Sequence, residues 1–328
     1  MFASHLESKM QTGNPELVPS RNGYGDGLVE AGKRDERIVA LAADLTESTR
    51  TLPFAEAFPK RFVQIGIAEQ NMASVASGMA AMGKIPFIAS YAMFSPGRNW
   101  EQIRTTVAYN NVNVKIIGAH AGISVGPDGA THQAIEDIAI MRVMPNMIVI
   151  APCDAHEARK ATLVAAKHDG PVYMRIGRSD TPVVTTIESP FILGQAQWFY
   201  RKNETFEKSV GIVVTGTLTY NALMAAVELE KSGIAAGVLH MPTIKPLDTA
   251  TLEAFAAAHG ALVTVEEHQM IGGLGGAVAE HLSSVKPVRI TRLGINDQFG
   301  QSGEPDELLA HYGLDIPAIV AAGKSIAT

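Results

Sequence analysis

Short apolar runs alternate with longer helical stretches along most of this chain, and that alternation limits the folds open to it. Residues 37–43, 62–65, 85–90, 112–118, 147–151 and 172–176 read as buried strands. Residues 69–82, 99–109, 134–141 and 155–167 read as helices between them. Strands this apolar, taking turns with helices, call for a parallel sheet covered on both faces. A connector at 179–208 breaks the rhythm and is expected to hold a crossing strand or a hairpin. The alternation then resumes, with strands at 210–215, 235–240, 261–266 and 288–293 and helices at 220–232, 249–259 and 273–284. The expectation is an α/β chain of two domains, 1–190 and 191–328, each a mostly parallel sheet flanked by helices. A chain of 328 residues is long enough to bury two such cores.

Charge and cysteine content narrow the function. The chain has 27 basic and 33 acidic residues, a net charge of −6. That balance argues against a nucleic-acid partner or an anionic membrane surface. A phosphorylated small molecule stays open, since a few placed arginines suffice to bind it. The single cysteine, Cys153, excludes an internal disulfide and any multi-cysteine metal site. It has no obvious activating partner, and its solitude fits a reducing cytosol. No stretch reaches the roughly 18 uninterrupted apolar residues of a membrane span. The first residues lack the apolar core of a signal peptide. A soluble, cytoplasmic protein is expected.

Several segments carry polar chemistry. Gly25-Asp26-Gly27 looks like a metal and diphosphate loop, but no Asn follows it before Asn71, and it precedes a helical pattern at 28–33. A loop or helix-entry role is expected instead. In Ile65-Gly66-Ile67-Ala68-Glu69-Gln70-Asn71 a strand ends, a glycine turns and Glu69 opens a helix. Interaction with the helix dipole is the plain account of such a glutamate. Ligands of parallel sheets, however, bind at the carboxyl ends of strands, where Glu69 falls. A glycine-rich loop from His120 to Gln133 follows another strand and carries His120, Ser124, Asp128, Thr131 and His132. Two histidines and an aspartate there suit a hydroxylated substrate and proton transfer. A zinc site is the weaker reading, because no third nitrogen or sulfur ligand is suggested. Tyr91 and Phe94 are candidates for core or for the wall of a flat heterocycle. Arg98 is a candidate anion ligand, and Arg175 and Arg178 end a strand where a guanidinium can grip phosphate. Residues 266–276 resemble a nucleotide loop but lack its spacing, so their glycines are expected to permit close packing.

Together these segments resemble the transketolase family. The resemblance covers essentially the whole chain, but only the C-terminal half of a full-length transketolase. That half holds a pyrimidine-type thiamine diphosphate-binding domain and the family's C-terminal domain. The motifs are Asp44-Leu45-Thr46-Glu47-Ser48, residues 65–70, residues 126–133, Pro145-Asn146 with 148–152, and 170–178. The resemblance implies roles. Glu69 would hydrogen-bond the cofactor's aminopyrimidine ring and favour the tautomer that activates it. Phe94 would stack on that ring, beside Tyr91, and Asp44 would lie in the cofactor region. His120, Asp128 and His132 would bind the sugar, His132 close to the bond broken. Arg21, Ser48 and Arg178 would hold the sugar phosphate. Three departures stand out. Ala68 and Gln70 replace the usual Arg and His, which brings the motif nearer to deoxyxylulose-5-phosphate synthase and to the beta subunits of 2-oxoacid dehydrogenases. Pro96-Gly97-Arg98 occupies the place of a third aromatic. His120 favours the transketolase side.

The match lacks a diphosphate-binding domain. The resemblance therefore implies the C-terminal subunit of a split transketolase. An N-terminal subunit would hold the diphosphate of thiamine diphosphate with Mg2+ or Ca2+, in a two-plus-two assembly, and this chain would bind no metal itself. The expected activity is transfer of a two-carbon ketol unit between phosphorylated sugars. A synthase- or dehydrogenase-type subunit and a non-catalytic binding homologue are the rivals. The joint presence of Glu69, Phe94, Asp128 and His132 disfavours the last.

Overall fold

The computed structural model describes residues 1–203 and 205–328, so Glu204, inside the expected connector, lies outside the described residues. The first half supplies β1 (Ile38–Ala42), β2 (Phe62–Gln64), β3 (Ile85–Tyr91), β4 (Lys115–Ala119), β5 (Ile148–Ile150) and β6 (Val172–Arg175). They lie in the spatial order β5-β6-β4-β3-β1-β2, and all are parallel. The second half supplies β7 (Gln197–Tyr200), β8 (Lys208–Val214), β9 (Ile234–His240), β10 (Thr243–Lys245), β11 (Ala261–Gln269) and β12 (Arg289–Ile295). Five of these form a second sheet in the order β12-β11-β8-β9-β7. Only β7, the crossing strand of the connector, runs antiparallel in it. β10 pairs antiparallel with β5 and makes the first sheet seven-stranded. At the other end of the chain, the Ala3 N–H donates to the Phe199 carbonyl at 2.9 Å, so the first residues lie along β7.

The helices are α1 (Ser20–Arg34), α2 (Leu52–Ala57), α3 (Glu69–Ala81), α4 (Trp100–Gln102), α5 (Asp137–Arg142), α6 (Ala155–Lys167), α7 (Thr219–Lys231), α8 (Thr249–His259), α9 (Leu274–Val285), α10 (Pro305–His311) and α11 (Ile316–Ile326). Side chains alternate across the first sheet as the two-residue period requires. Val39 and Leu41 join Met72, Ala76 and Ile103 on one face. Ile38 and Ala40 join Tyr24, Leu28 and Phe54 on the other.

Several elements depart from expectation for local reasons. The helix expected over 99–109 is α4 followed by π-helical turns at Ile103–Ala108. Residues 112–114 form a turn off that segment, so β4 starts only at Lys115. α5 starts at Asp137 because Ala134 is spent on the loop, where its carbonyl accepts the Gly122 N–H at 2.8 Å. Gly25-Asp26-Gly27 lies in the middle of α1, neither in a loop nor at a helix entry. Asp26 is exposed, and the glycines face neighbouring chain. A Cβ at Gly25 would stand 2.7 Å from the Arg50 carbonyl oxygen, and one at Gly27 2.8 Å from Thr162 Cβ. At Gly23 it would stand 1.8 Å from the Ala155 carbonyl oxygen. Glycine costs about 1 kcal/mol in a helix interior. Here that cost allows α1 and α6 to pack backbone to backbone.

The two neighbours of β1, β2 and β3, are reached by building outwards in opposite directions, which places the switch of strand order there. Parallel sheets leave a crevice at the carboxyl ends beside such a switch. The Gly23→Ala variant should lose about 3 kcal/mol of unfolding free energy, the upper end of ordinary overpacking. Chemical denaturation measures it, and a change below about 0.5 kcal/mol would refute the close contact.

Candidate active site

Glu69 is the first residue of α3, just after the Gly66 turn that ends β2, and it is 1% exposed. A buried carboxylate needs partners for its oxygens. Ser90 Oγ, on β3, lies 3.3 Å from Oε1, and Arg98 Nη1 donates to Oε2 at 2.7 Å. Asn99 Nδ2 donates to the Glu69 carbonyl at 3.0 Å, while Asn99 Oδ1 is buried without a partner. Ser90 and Asn99 carry no signal in the sequence, and Arg98 is placed on a carboxylate where an anion was expected.

Four rings converge beside this carboxylate. Tyr91, at the end of β3, stacks on His120, just past β4, with centroids 3.9 Å apart and planes 20° apart. Phe94 lies parallel to Tyr91 at 6.1 Å. His132 meets Phe94 edge-on at 5.5 Å and Tyr91 at 6.2 Å. His132 Nδ1 lies 2.9 Å from Thr131 Oγ1. The glycine loop brings His120 and His132 together by turning through positive φ at His120, Gly122, Gly126 and Gly129. Glycine takes such angles without strain.

The arginines form the next wall. Arg21 Nη1 donates to the Ser48 carbonyl at 2.9 Å and lies 3.4 Å from His120 Nε2. Arginine has only donors, so His120 Nε2 is the acceptor and Nδ1 bears the proton. That Nδ1 is buried and unpartnered, as is Arg21 Nε. Burial, then the charges of Arg21, Arg178 and His132, push the His120 pKa down to about 3, so its ring is neutral. Burial and the nearby Arg50 and Arg178 also lower the Arg21 pKa, the mark of crowded positive charge. Arg178 donates to the Val125 carbonyl at 2.6 Å and lies 3.6 Å from Asp128. Arg21 and Arg178 both line a cleft of about 820 Å³ shared with Thr217, Tyr220 and Glu267 of the second half. Asp44 is exposed just past β1, with its N–H on Gln64 Oε1 at 2.9 Å.

Other candidates serve the scaffold. Arg175 is no phosphate ligand. It is buried, donates to both oxygens of Asp137 at 2.9 and 3.2 Å, and reaches the Glu267 carbonyl at 2.6 Å. Tyr173 adds its hydroxyl to Asp137 at 2.7 Å. The Glu267 carboxylate accepts the Ser124 N–H at 2.6 Å and the Thr217 hydroxyl at 3.0 Å. Neither Asp137 nor Glu267 stood out in the sequence. In the 266–276 segment, Glu266 accepts the Leu274 and Gly275 N–H groups at 2.6 and 2.7 Å and so caps α9. A Cβ at Gly272 would stand 2.7 Å from that of Ala139, which is the close packing those glycines permit. Cys153, Glu157 and His240 gather within 4.8 Å, so the cysteine does have neighbours. Burial and the carboxylates of Asp154 and Glu157 push its thiol far up, and both His240 nitrogens are engaged, by Thr219 and Glu157. A protonated thiol beside a satisfied imidazole is a poor metal site.

Residues 17–183 match the transketolase pyrimidine binding domain, and residues 201–319 match the transketolase C-terminal domain. The chain belongs to the transketolase family. A putative transketolase C-terminal section of Methanocaldococcus jannaschii is 46% identical over 310 residues, 94% of this chain and 93% of that relative. A 6-deoxy-6-sulfo-D-fructose transketolase subunit of Clostridium sp. is 40% identical over 306 residues, 93% of this chain and 94% of that relative. A solved split-gene transketolase, described as an inactive beta4 tetramer, superposes with a TM-score of 0.87 at 46% identity, over 94% of this chain and 98% of that one. This transketolase chain therefore has the two-sheet α/β architecture its strand pattern implies, and it sits among split-gene C-terminal subunits. Among its described residues no helix is long and apolar enough to cross a membrane.

This site titrates in a definite sense. Unfolded, His120 binds a proton below its ordinary pKa of 6.5, whereas folded it does so only near 3. The unfolded state then holds more protons, so stability falls as pH drops through that window, by at most about 1.4 kcal/mol per pH unit for one group. His120→Asn should flatten the decline in unfolding free energy between about pH 6.5 and pH 4. Equal slopes for the two proteins would overturn the buried, neutral imidazole.

Proposed function

We propose that this chain is the C-terminal subunit of a thiamine diphosphate-dependent transketolase that moves a two-carbon ketol unit between phosphorylated sugars. It works in the cytoplasm with an N-terminal subunit that supplies the diphosphate- and metal-binding half, Mg2+ or Ca2+ included, in a two-plus-two assembly. One observation carries the reading. A buried carboxylate, stacked aromatics, a loop of two histidines and an aspartate, and two arginines, one of them from α1, gather at the carboxyl edge of the first sheet.

The residues fit a flat heterocycle with a polar edge. Glu69 offers a fixed carboxylate and Phe94 an aromatic face within one site. Thiamine diphosphate, when bound, supplies the electron sink for breaking a carbon–carbon bond. This chain's residues do the rest. Glu69 holds the ring edge and its proton, and Phe94 and Tyr91 close the ring's apolar surround. His132, beside Phe94, exchanges a proton with the sugar hydroxyl next to the bond broken. Asp128 orients the donor hydroxyls. Neutral His120 offers its unpartnered Nδ1–H, and Arg21 its unpartnered Nε–H, as ready donors to sugar and phosphate oxygens. Ser48 fixes Arg21 through its carbonyl. Asp44 borders the cofactor region from β1.

The test is reconstitution. Co-expressed with a diphosphate-domain partner, the chain should transfer ketol units from xylulose 5-phosphate only when thiamine diphosphate and a divalent ion are added, and alone it should do nothing. Glu69→Ala should cut turnover about 10²–10⁴-fold, the range of a lost proton-transfer role. Arg21→Ala should raise KM for the phosphorylated sugar about tenfold or more with kcat little changed, because the phosphate lies away from the reacting bond. Unchanged turnover after Glu69→Ala, or full activity of the chain alone, would sink the proposal.

A further inference from the structure

The Arg98 guanidinium makes two contacts at once. Its Nη1 donates to Glu69 Oε2 at 2.7 Å, and its Cζ stands 4.9 Å from the centroid of the Phe94 ring. Under the proposed function these are the two contacts of the aminopyrimidine, an edge on Glu69 and a face on Phe94. A guanidinium is a fair mimic of that ring, being flat, edged with N–H donors and prone to stack on aromatics. Bridging Phe94 and Glu69, it lies on the side of Phe94 turned towards the carboxylate. That side takes one flat group.

Arg98 can leave. Its side chain is 46% exposed, whereas Glu69 is 1% exposed and keeps Ser90 on its other oxygen. Among the described residues, Glu69 is the carboxylate paired with Arg98. Its main chain is fixed at Phe94, whose carbonyl accepts the Arg98 N–H at 3.0 Å, so only the side chain has to swing. Pro96-Gly97-Arg98, found where the resemblance leads one to expect a third aromatic, thus delivers a cation to the carboxylate.

We infer that Arg98 is an internal placeholder: it occupies the aminopyrimidine's place in the cofactor-free subunit and rotates out when thiamine diphosphate binds. The inference rests on the cofactor reading of Glu69 and Phe94. Its consequence is a competition. Only the fraction of molecules with Arg98 swung out is competent to bind, so the measured affinity is weaker than the intrinsic one by that fraction.

The test uses the complex of this chain with a diphosphate-domain partner, stripped of cofactor and titrated calorimetrically with thiamine diphosphate and Mg2+. Arg98→Met keeps the apolar stem and removes charge and donors. It should bind the cofactor at least about fivefold more tightly, as removal of a competing internal ligand requires. Unchanged or weaker binding would overturn the inference and make Arg98 a permanent partner of Glu69. Wild-type structures of the complex with and without cofactor give a readout that needs no variant. The Arg98–Glu69 contact should be present without cofactor and broken with it, and its persistence in the loaded site would overturn the inference. A wild-type complex that takes up no thiamine diphosphate at all would instead bring down the proposed function.

Discussion

A single buried guanidinium holds the loop on which the site is built. Arg175 ends β6 and reaches α5 through Asp137, the loop before α5 through the Ala134 carbonyl, and β11 of the second sheet through the Glu267 carbonyl. Glu267 in turn grips the Ser124 N–H and, through Thr217, the start of the helical segment after β8. Burying an isolated charge is costly, and a buried pair is tolerable only when every lone pair is used. Here Tyr173 fills the remaining position on Asp137. The His120–Gln133 loop, with glycines at three positive-φ turns, would otherwise be free to wander. Gripped from both sheets, it sets His120 against Tyr91, centroids 3.9 Å apart, and His132 edge-on to Phe94 at 5.5 Å.

The rest of the site follows from strand ends. β1 leads into the Asp44–Ser48 loop, β2 through the Gly66 turn to Glu69, and β4 into His120, while β3 ends at Tyr91 and α1 brings Arg21 to the same edge. The Gly23 and Gly27 contacts with α6 decide how close α1 comes, and with it how near Arg21 stands to His120. The scaffold glycines and Arg21 are therefore one construction. Arg21 and Arg178 bring positive charge to a neutral histidine, and Arg50 stands near Arg21, on a chain that is acidic overall.

Much of this is legible in the residues. Apolar runs of strand length show the parallel sheets, because most strands are covered on both faces and few polar residues interrupt them. Element edges are less legible. Where α5 begins depends on Ala134 bonding the glycine loop, and where β4 begins depends on a turn off π-helical residues, neither of which has a local signature. Glu69 and the His120–His132 loop are readable, since polar groups at carboxyl strand ends have a positional meaning. Arg175 misleads for the same reason. It stands at a strand end too, and only the long-range partner Asp137 shows that its charge is already spent. Gly25-Asp26-Gly27 misleads because spacing in sequence cannot tell a phosphate loop from a helix face that must admit another backbone. Arg98 shows the limit most clearly. Its partner is 29 residues away on another element, and an exposed arginine in sequence carries no hint of a buried carboxylate.

Under the proposed function this chain carries half of a site, and it then faces a constraint that a complete enzyme does not. Its buried carboxylate must exist for some time without the ligand it is built for, and an unpaired buried carboxylate costs several kcal/mol. Pairing from within satisfies its oxygens, Ser90 on one and Arg98 on the other, in a fixed geometry. Arg98 supplies that pairing with a side chain open to solvent on the far side, so the pair is firm enough to satisfy the carboxylate and loose enough to exchange. Under the proposed division of labour, Arg98 gives the Glu69 carboxylate a partner before the diphosphate half arrives.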